Sequence, residues 1–222
     1  MADAQINHTD ALNYWQSIDA DVNGMLGGFP HISKVDLQGS KNFLSKLGIG
    51  GKSENGKKLG RAVDCGAGIG RITEGLLLNI VTTVDIVEPI AKFANSLEGR
   101  AGIGHIFVAS LEDWSPEDSP ENKYDLIWNQ WCLGHLTDAQ LQSYLGTCSK
   151  LLNADGLIVV KENLSTSGED LFDKLDSSVT RCDQKFRDIF DRAGLRIKKT
   201  EIQKGLPKEL YPVRIYALVP GP

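Results

Sequence analysis

Asp64-Cys65-Gly66-Ala67-Gly68-Ile69-Gly70-Arg71 is the stretch that decides the fold. It follows the apolar run Arg61-Ala62-Val63 and opens into a predicted helix. Glycines at such a turn let backbone N–H groups approach a ligand that side chains would obstruct. The dinucleotide fingerprint is Gly-x-Gly-x-x-Gly or Ala, and counted from Gly66 its last position is Arg71. The loop therefore predicts a nucleotide-type ligand and disfavours an NAD-dependent oxidoreductase.

Outward from this loop, strand-like apolar runs alternate with helix-sized segments. The predicted strands span 61–64, 83–87, 105–109, 124–128, 156–160, 194–197 and 213–218. Thr137-Asp138 is predicted to start a helix. This alternation is typical of the α/β class, here a seven-strand, Rossmann-like, mostly parallel sheet with helices on both faces. The last two strands are joined by a loop and are predicted to form an antiparallel edge.

The first sixty residues do not share this rhythm. A short helix is predicted over 10–18 and another near 40–47, and the Gly- and Lys-rich stretch 48–60 is predicted to be a mobile surface loop. We expect one domain over 1–222, with an N-terminal helical cap and loop over 1–58 and the sheet-forming core over 59–222.

Composition excludes several classes of protein. The 222 residues carry a formal net charge of −5, which argues against general nucleic-acid binding. No apolar run approaches the roughly 18 residues of a membrane span, and the N-terminus lacks a signal-peptide pattern. The four cysteines show no metal-binding spacing, so we expect no metal site and a reducing compartment. We expect a cytoplasmic protein, also present in the nucleus, that is monomeric.

Glu88 follows the second predicted strand, 24 residues after Asp64. An acidic residue there can accept hydrogen bonds from both hydroxyls of a ribose. Three nearby glycines alone would also suit a tight turn without a ligand, but the placement of Glu88 favours a ligand site. The spacing of Gly66, Gly68 and Gly70 resembles the first motif of the seven-strand S-adenosylmethionine methyltransferases, whose cofactor has no phosphate.

Further segments resemble one branch of those enzymes, the protein N-terminal methyltransferases that modify chains beginning Xaa-Pro-Lys after removal of the initiator methionine. The matching stretches span nearly the whole chain, and Gly-Met-Leu-Gly-Gly and Gly-His-Leu-Thr-Asp are the most specific. They are Tyr14-Trp15, Gly24-Met25-Leu26-Gly27-Gly28, His31-Ile32-Ser33, residues 64–73, Ile127-Trp128-Asn129-Gln130-Trp131, Gly134-His135-Leu136-Thr137-Asp138, Lys161-Glu162-Asn163 and Asp176-Ser177-Ser178-Val179.

The resemblance implies S-adenosylmethionine as cofactor and free protein N-termini, ribosomal proteins among them, as substrates. It implies that the cofactor is held by Gly66, Gly68, Arg71, Glu88, Pro89, Ile90, Leu111, Glu112 and Gln130. It implies that the peptide is held by Trp15, Leu26, Trp131, Asn163, Asp173, Ser178 and Tyr211, with Asp176, His135 and Asn163 as catalytic residues. The sequence departs from the family at two places: Glu88 stands where Asp is frequent, and one extra residue lies between Asn163 and Asp176.

Methylation of an α-amine needs a neutral nitrogen held in line with the donor. An α-amine has a reference pKa of about 7.7–8, against about 10.4 for lysine, so a modest base suffices. Asp176 is the first candidate for the proton acceptor, and His135 is a second base or the group that orients it. Asn163 would hydrogen-bond the backbone of the first substrate residue.

Each of these residues also has a purely structural interpretation. His135 could pack at a helix start, Asp176 could cap a helix, and Asn163 could belong to a turn.

Other side chains complete the predicted channel. Trp128 is assigned to packing, and Trp131 is assigned to an aromatic wall that suits a proline ring. Asp173 and Asp176 suit a lysine at the third substrate position. Asn129 and Cys132 are expected to contribute to channel width near the amine, on which the number of methyl groups added depends.

Two alternatives remain open at this stage. A small-molecule methyltransferase would have a closed pocket instead of an open groove. A non-catalytic protein that binds the cofactor as a scaffold would lack Asn163 or Asp176, and both are present.

Overall fold

Seven of the apolar runs form one sheet in the computed structural model, which describes residues 1–50 and 58–221. In spatial order the strands are β3 (Ile103–Phe107), β2 (Val81–Val87), β1 (Leu59–Cys65), β4 (Tyr124–Gln130), β5 (Leu152–Asn163), β9 (Val213–Pro220) and β8 (Leu195–Ile202). Strands β6 (Leu171–Asp173) and β7 (Ser178–Thr180) form a separate hairpin. The predicted α/β class with seven strands in one sheet is confirmed. Most of the predicted loop over 48–60 lies outside the described residues.

Strand directions follow the prediction. Strands β1 to β5 pair in parallel with their neighbours in the sheet. Strand β9 pairs antiparallel with both β5 and β8, which confirms the antiparallel edge. The fifth strand is longer than the predicted 156–160, and the third begins two residues earlier than predicted.

The helices are α1 (His8–Ser17), α2 (Val22–Met25), α3 (Ser33–Ser45), α4 (Leu78–Ile80), α5 (Ala91–Ala94), α6 (Asp138–Lys150) and α7 (Asp183–Arg192), and a π-helical turn over Thr73–Leu77 precedes α4. Thr137 caps α6 in a reciprocal capping box with Gln140, which confirms the predicted helix start. The helix predicted near 40–47 begins seven residues earlier, at Ser33. Its first turns carry few apolar residues, so their periodicity gave no helical signal.

Two apolar clusters cover the two faces of the sheet. One joins α6 and α7 to the sheet through residues such as Leu141, Tyr144 and Phe186. The other places Phe43 and Leu44 of α3 against Ala62 and its neighbours. Because β1 to β5 run parallel, their carboxyl ends all lie at one edge of the sheet, which is where open α/β sheets bind ligands.

No helix in the described part of the chain is long and apolar enough to cross a membrane. Among these same residues, His, Cys, Asp and Glu side chains nowhere group as three or more potential metal ligands.

Candidate active site

One cavity of about 570 Å³ extends from the loop after β1 to the β6–β7 hairpin. That volume is within the range of small-ligand pockets. Every residue that the sequence placed in the site, except Asn129, lines this cavity: Trp15, Leu26, Gly66, Gly68, Arg71, Glu88, Pro89, Ile90, Leu111, Glu112, Gln130, Trp131, Cys132, His135, Asn163, Asp173, Asp176, Ser178 and Tyr211. The fold therefore brings them together, while their individual roles stay predictions.

The glycine loop has no room for side chains. Gly66 and Gly68 have φ of 65° and 56°, a left-handed conformation that favours glycine. A Cβ on Gly66 would lie 2.4 Å from Cys132 Cβ, and one on Gly68 would lie 2.6 Å from Met25 Sδ. The Gly66 N–H donates to Val87 O at 2.8 Å, so β2 anchors the turn. The loop thus presents its backbone at the cavity wall.

Glu88 follows β2 and is 5% exposed. Its Oε2 accepts the Gly68 N–H at 2.7 Å, and its Oε1 accepts the Ile90 N–H at 2.8 Å. Burial raises the pKa of Glu88 to about 7, although these two N–H bonds oppose the shift. Burial also raises the pKa of Asp64 to about 6, against a hydrogen bond from Thr73. Each Glu88 oxygen keeps a second lone pair for a further donor.

Arg71 lies beside a buried carboxylate that sequence reasoning missed. Its Nη1 donates to Asp36 Oδ2 at 2.7 Å, and its guanidinium lies 5.4 Å from the centre of the Trp131 ring. Lys161 Nζ donates to Asp36 Oδ1, and Gln130 Nε2 donates to both Asp36 carboxylate oxygens at 3.0 Å. Asp36 falls before the predicted helix, so nothing marked it. Lys161, a cation within an apolar strand, was the feature of the sequence that indicated a buried anionic partner.

The wall beyond Glu88 is mostly apolar. Ile90 and Leu111 are buried, and Pro89 is half-buried beside them. At this end the Nδ1 of His8, on α1, lies 3.3 Å from Glu112 Oε1. Apolar faces with one carboxylate at the edge suit a flat aromatic base.

Helix α1 also contacts His135, through the indole of Trp15. The Trp15 Nε1–H donates to His135 Nε2 at 3.0 Å, and the two rings meet edge to face. Because Nε2 accepts this bond, the neutral ring carries its hydrogen on Nδ1. Burial lowers the pKa of His135, and the neighbouring Asp176 only partly offsets that effect. The ring is therefore neutral near pH 7, with its basic nitrogen already engaged.

Asp176 lies in the turn between β6 and β7, half-buried against the cavity. Its Oδ1 and the Nδ1 of His135 are shielded from water and have no hydrogen-bond partner among the residues that the structure describes. The next residue, Ser177, has a left-handed φ of 55°, and its Oγ accepts the Asn7 N–H at 2.8 Å. A buried polar atom without a partner is costly, and such atoms mark places where a ligand group completes the hydrogen bonding.

The turn after β4 is held by Glu162, which the sequence analysis did not assign. Trp131 has a left-handed φ of 55°, uncommon for a bulky side chain. Glu162 Oε1 accepts the N–H groups of Cys132 at 3.0 Å and Leu133 at 2.9 Å. Burial raises the pKa of Glu162 to about 7, against these N–H bonds. Its position in Lys-Glu-Asn, at the carboxyl end of β5, was the sequence feature that could have indicated a role at the site.

The rim of the cavity is polar on one side and aromatic on the other. Asn163, the last residue of β5, is half-buried. Asp173 is exposed on the hairpin, and Tyr211 is 43% exposed on the loop before β9. These exposed residues open the cavity to solvent at this rim.

Of two neighbouring residues on β4, one has the predicted role and the other does not. Trp128 is fully buried, and its Nε1–H donates to Gln130 Oε1 at 3.2 Å, which confirms its packing role. Asn129 was expected to influence channel width, and this is wrong. Its amide donates to Val159 O at 3.1 Å and accepts from the Tyr144 hydroxyl at 2.7 Å within the core.

The chemistry of the cavity fits S-adenosylmethionine. The backbone at Gly66 and Gly68 lines the cavity, and Glu88 offers acceptor lone pairs for a ribose. Arg71 offers donors for the methionine carboxylate. These residues lie in the same cavity as the unpartnered Asp176 oxygen, so donor and acceptor sites are continuous.

Comparison with known proteins identifies the relatives of this chain. Residues 3–219 match the family described as AdoMet dependent proline di-methyltransferase. Alpha N-terminal protein methyltransferase 1 of Schizosaccharomyces pombe is 45% identical over 218 residues, covering 96% of each chain. N-terminal Xaa-Pro-Lys N-methyltransferase 1 of Rattus norvegicus is 41% identical over 216 residues, covering 95% of this chain and 94% of the relative.

Solved structures agree with these sequence relatives. A SAM-dependent methyltransferase of Leishmania major superposes with a TM-score of 0.85 at 38% identity, covering 95% of this chain and 82% of that one. A complex of DhpI with SAH has a TM-score of 0.71 at 13% identity, covering 96% and 97%, and shows the same fold.

Proposed function

The chain belongs to the AdoMet-dependent proline di-methyltransferase family, and on that premise we propose that it methylates the free α-amino group of proteins beginning Xaa-Pro-Lys. It is an S-adenosylmethionine-dependent methyltransferase of the class I fold. The observation that carries the proposal is one open groove joining the glycine loop to Trp131, Asn163 and Asp176.

The residues at the cofactor end of the cavity bind and orient S-adenosylmethionine. When bound, S-adenosylmethionine supplies a methyl group on a sulfonium sulfur. The Glu88 carboxylate accepts the ribose hydroxyls, and Arg71 donates to the carboxylate of the methionine moiety. Since the sulfonium is already a good leaving group, holding the amine in line supplies most of the acceleration, worth up to about 7–11 kcal/mol.

The acceptor end recognises an extended N-terminus. Trp131 offers a half-buried aromatic wall for the proline ring, and Asn163 hydrogen-bonds the backbone of the first residue. The exposed carboxylate of Asp173 pairs with the ammonium of a lysine at the third position. Leu26, Ser178 and Tyr211 complete the lining of this channel.

Proton removal falls first to Asp176. Its Oδ1 is water-shielded and unpartnered in the described part of the chain, so it is free to accept a proton from the α-ammonium. His135 is less suited, because burial lowers its pKa and the Trp15 N–H occupies its Nε2. Asp176 is close enough for its charge to oppose the lowering of the His135 pKa, so we assign His135 the role of orienting Asp176.

A peptide assay tests the proposal. Incubated with labelled S-adenosylmethionine, an Ala-Pro-Lys peptide should gain label on its α-nitrogen. Its N-acetylated twin should gain none, because the lone pair of an amide nitrogen is delocalised into the carbonyl group and is no longer nucleophilic. An Ala-Pro-Glu peptide serves as the charge control and should be a poor substrate. Equal labelling of the free and acetylated peptides, or of neither, overturns the proposed function.

Replacing Trp15 with phenylalanine should lower kcat/KM for the peptide about tenfold, because His135 then loses the donor that fixes its tautomer. Cofactor affinity should stay unchanged, since Trp15 contacts the acceptor end. Steady-state kinetics with each substrate varied in turn measures both effects. Gln16→Ala, an exposed change on the same helix, is the matched control. A loss confined to cofactor affinity would contradict this role.

We further propose that the substrates include ribosomal proteins and that the enzyme acts as a monomer in the cytoplasm and the nucleus. The family resemblance supports the substrate class, and the ordinary globular composition fits the other parts of this proposal. Mass spectrometry of ribosomal N-termini from cells with and without the active enzyme tests the substrate class. Unchanged methylation in the cells that lack the enzyme would contradict it.

A further inference from the structure

A buried ion pair lies directly behind Arg71. Asp36, on α3, and Lys161, within β5, are each fully buried, and their charged groups contact one another. Lys161 does not line the cavity, whereas Arg71 does. Lys161 is therefore outside the reaction site, but its partner Asp36 contacts two of the predicted cofactor residues, Arg71 and Gln130.

Lys161 has the contacts of an ammonium ion. Burial, with a smaller contribution from the charge of Arg71, lowers the pKa of Lys161, and Asp36 only partly offsets this. Its Nζ nevertheless donates to Asp36 Oδ1, to Asp36 O at 3.0 Å and to Ser40 Oγ at 2.9 Å. Three acceptors require three N–H bonds, which only the charged form supplies. For Asp36, burial raises the pKa, but Lys161 and Arg71 together outweigh it and leave the pKa lowered. Both members of the pair are therefore ionised.

Asp36 is shared between two cations. One carboxylate oxygen accepts from Lys161 and the other accepts from Arg71, while Gln130 bridges both oxygens. Removing a carboxylate and a guanidinium from water is costly, and each ion must find its partner nearby. If Asp36 had Arg71 as its only cationic partner, it would consume the charge that a ligand carboxylate needs.

We infer that Lys161 is a positioning residue that neutralises Asp36, so that Arg71 is held by Asp36 yet keeps its charge for the carboxylate of the cofactor's methionine moiety. The inference deepens the cofactor site and rests on the proposed role of Arg71. It assigns binding, not proton transfer, to the pair.

The contrast between two nucleoside ligands tests the inference. S-adenosylhomocysteine carries the amino-acid carboxylate, and 5′-methylthioadenosine lacks it. Lys161→Met should weaken S-adenosylhomocysteine binding about tenfold, by the strength of a charge-assisted contact, and leave 5′-methylthioadenosine binding within about twofold. Isothermal titration calorimetry on the full chain without peptide measures both affinities.

A double variant supplies the sharper readout. In Asp36→Asn/Lys161→Met the competing carboxylate is gone, while the asparagine oxygen can still accept from Arg71 Nη1. Binding of S-adenosylhomocysteine should therefore recover to within about threefold of the native affinity. A purely structural pair would weaken both ligands together, and the double variant would not restore binding. Either of those results overturns the inference.

Two further variants keep the outcomes distinct. Lys161→Gln, which keeps a donor toward Asp36 without the charge, replaces Lys161→Met if that variant does not fold, with the same expected loss. Arg71→Met should weaken S-adenosylhomocysteine and spare 5′-methylthioadenosine. If Arg71→Met makes no such distinction, the cofactor role of Arg71 has failed. If Arg71→Met weakens only S-adenosylhomocysteine, and both Lys161 variants bind S-adenosylhomocysteine with native affinity, only the ion-pair inference has failed.

Discussion

Asp176→Asn should lower turnover of an Xaa-Pro-Lys peptide about 100- to 1000-fold, the loss typical of a removed general base. The asparagine keeps the size of the side chain, but its amide cannot take the proton of the α-ammonium. Affinity for S-adenosylmethionine should change less than about twofold, because Asp176 lies at the acceptor end of the cavity. Single-turnover kinetics and calorimetry measure the two quantities separately.

Two aspartates provide controls for that experiment. Asp188→Asn, on the exposed face of α7, should change neither quantity. Asp173→Asn should raise the peptide KM with little effect on kcat, because this exposed carboxylate contributes binding of the third-position lysine. A large loss of cofactor binding in Asp176→Asn would contradict its role as the proton acceptor.

Glu88→Gln should weaken S-adenosylmethionine binding about 100-fold at pH 8, because a carboxylate that accepts from ribose hydroxyls is lost. The amide also turns a donor toward the N–H of Gly68 or Ile90, each of which now donates to Glu88. Calorimetric titration with the cofactor measures the loss. Glu88→Asp keeps the charge on a shorter side chain, so we expect a smaller loss.

The affinity of the native protein should also depend on pH. Ribose hydroxyls donate to the ionised carboxylate, so bound cofactor favours deprotonated Glu88. Because the pKa of Glu88 is raised to about 7, affinity should be full above pH 7 and fall as pH drops through that value. The limiting slope is about tenfold per pH unit. Glu88→Gln should lose this dependence around pH 7, and an unchanged profile in that variant would exclude Glu88 as its source.

The residues that line the site were easier to predict from the sequence than the buried residues that hold them in place. Gly66, Glu88 and Asp176 lie beside strand ends or in quoted motifs, and the parallel sheet brings such positions to one edge. Asp36 and Lys161 were missed because a buried charge is recognised only through its partner, and these two lie 125 positions apart. Asn129 was misplaced because its sequence position next to the site does not tell which face of β4 its side chain occupies.

The hydrogen bond from Trp15 to His135 Nε2 could not be predicted from the sequence either. Trp15 was assigned to the channel, but its hydrogen bond depends on how α1 crosses the cavity, which no local pattern specifies. That single contact changes the balance between His135 and Asp176 as proton acceptors.

Trp131 and Ser177, the two non-glycine residues with a left-handed φ in the described part of the chain, have a consequence for thermostability. A side chain held in that conformation costs about 1–3 kcal/mol, against a total folding stability of about 5–15 kcal/mol. Glycine at either position would relieve the cost, so selection for a higher melting temperature alone would favour it. Such selection would remove the aromatic wall at Trp131 and the acceptor for Asn7 at Ser177. Engineering this enzyme for heat resistance should therefore begin elsewhere in the chain.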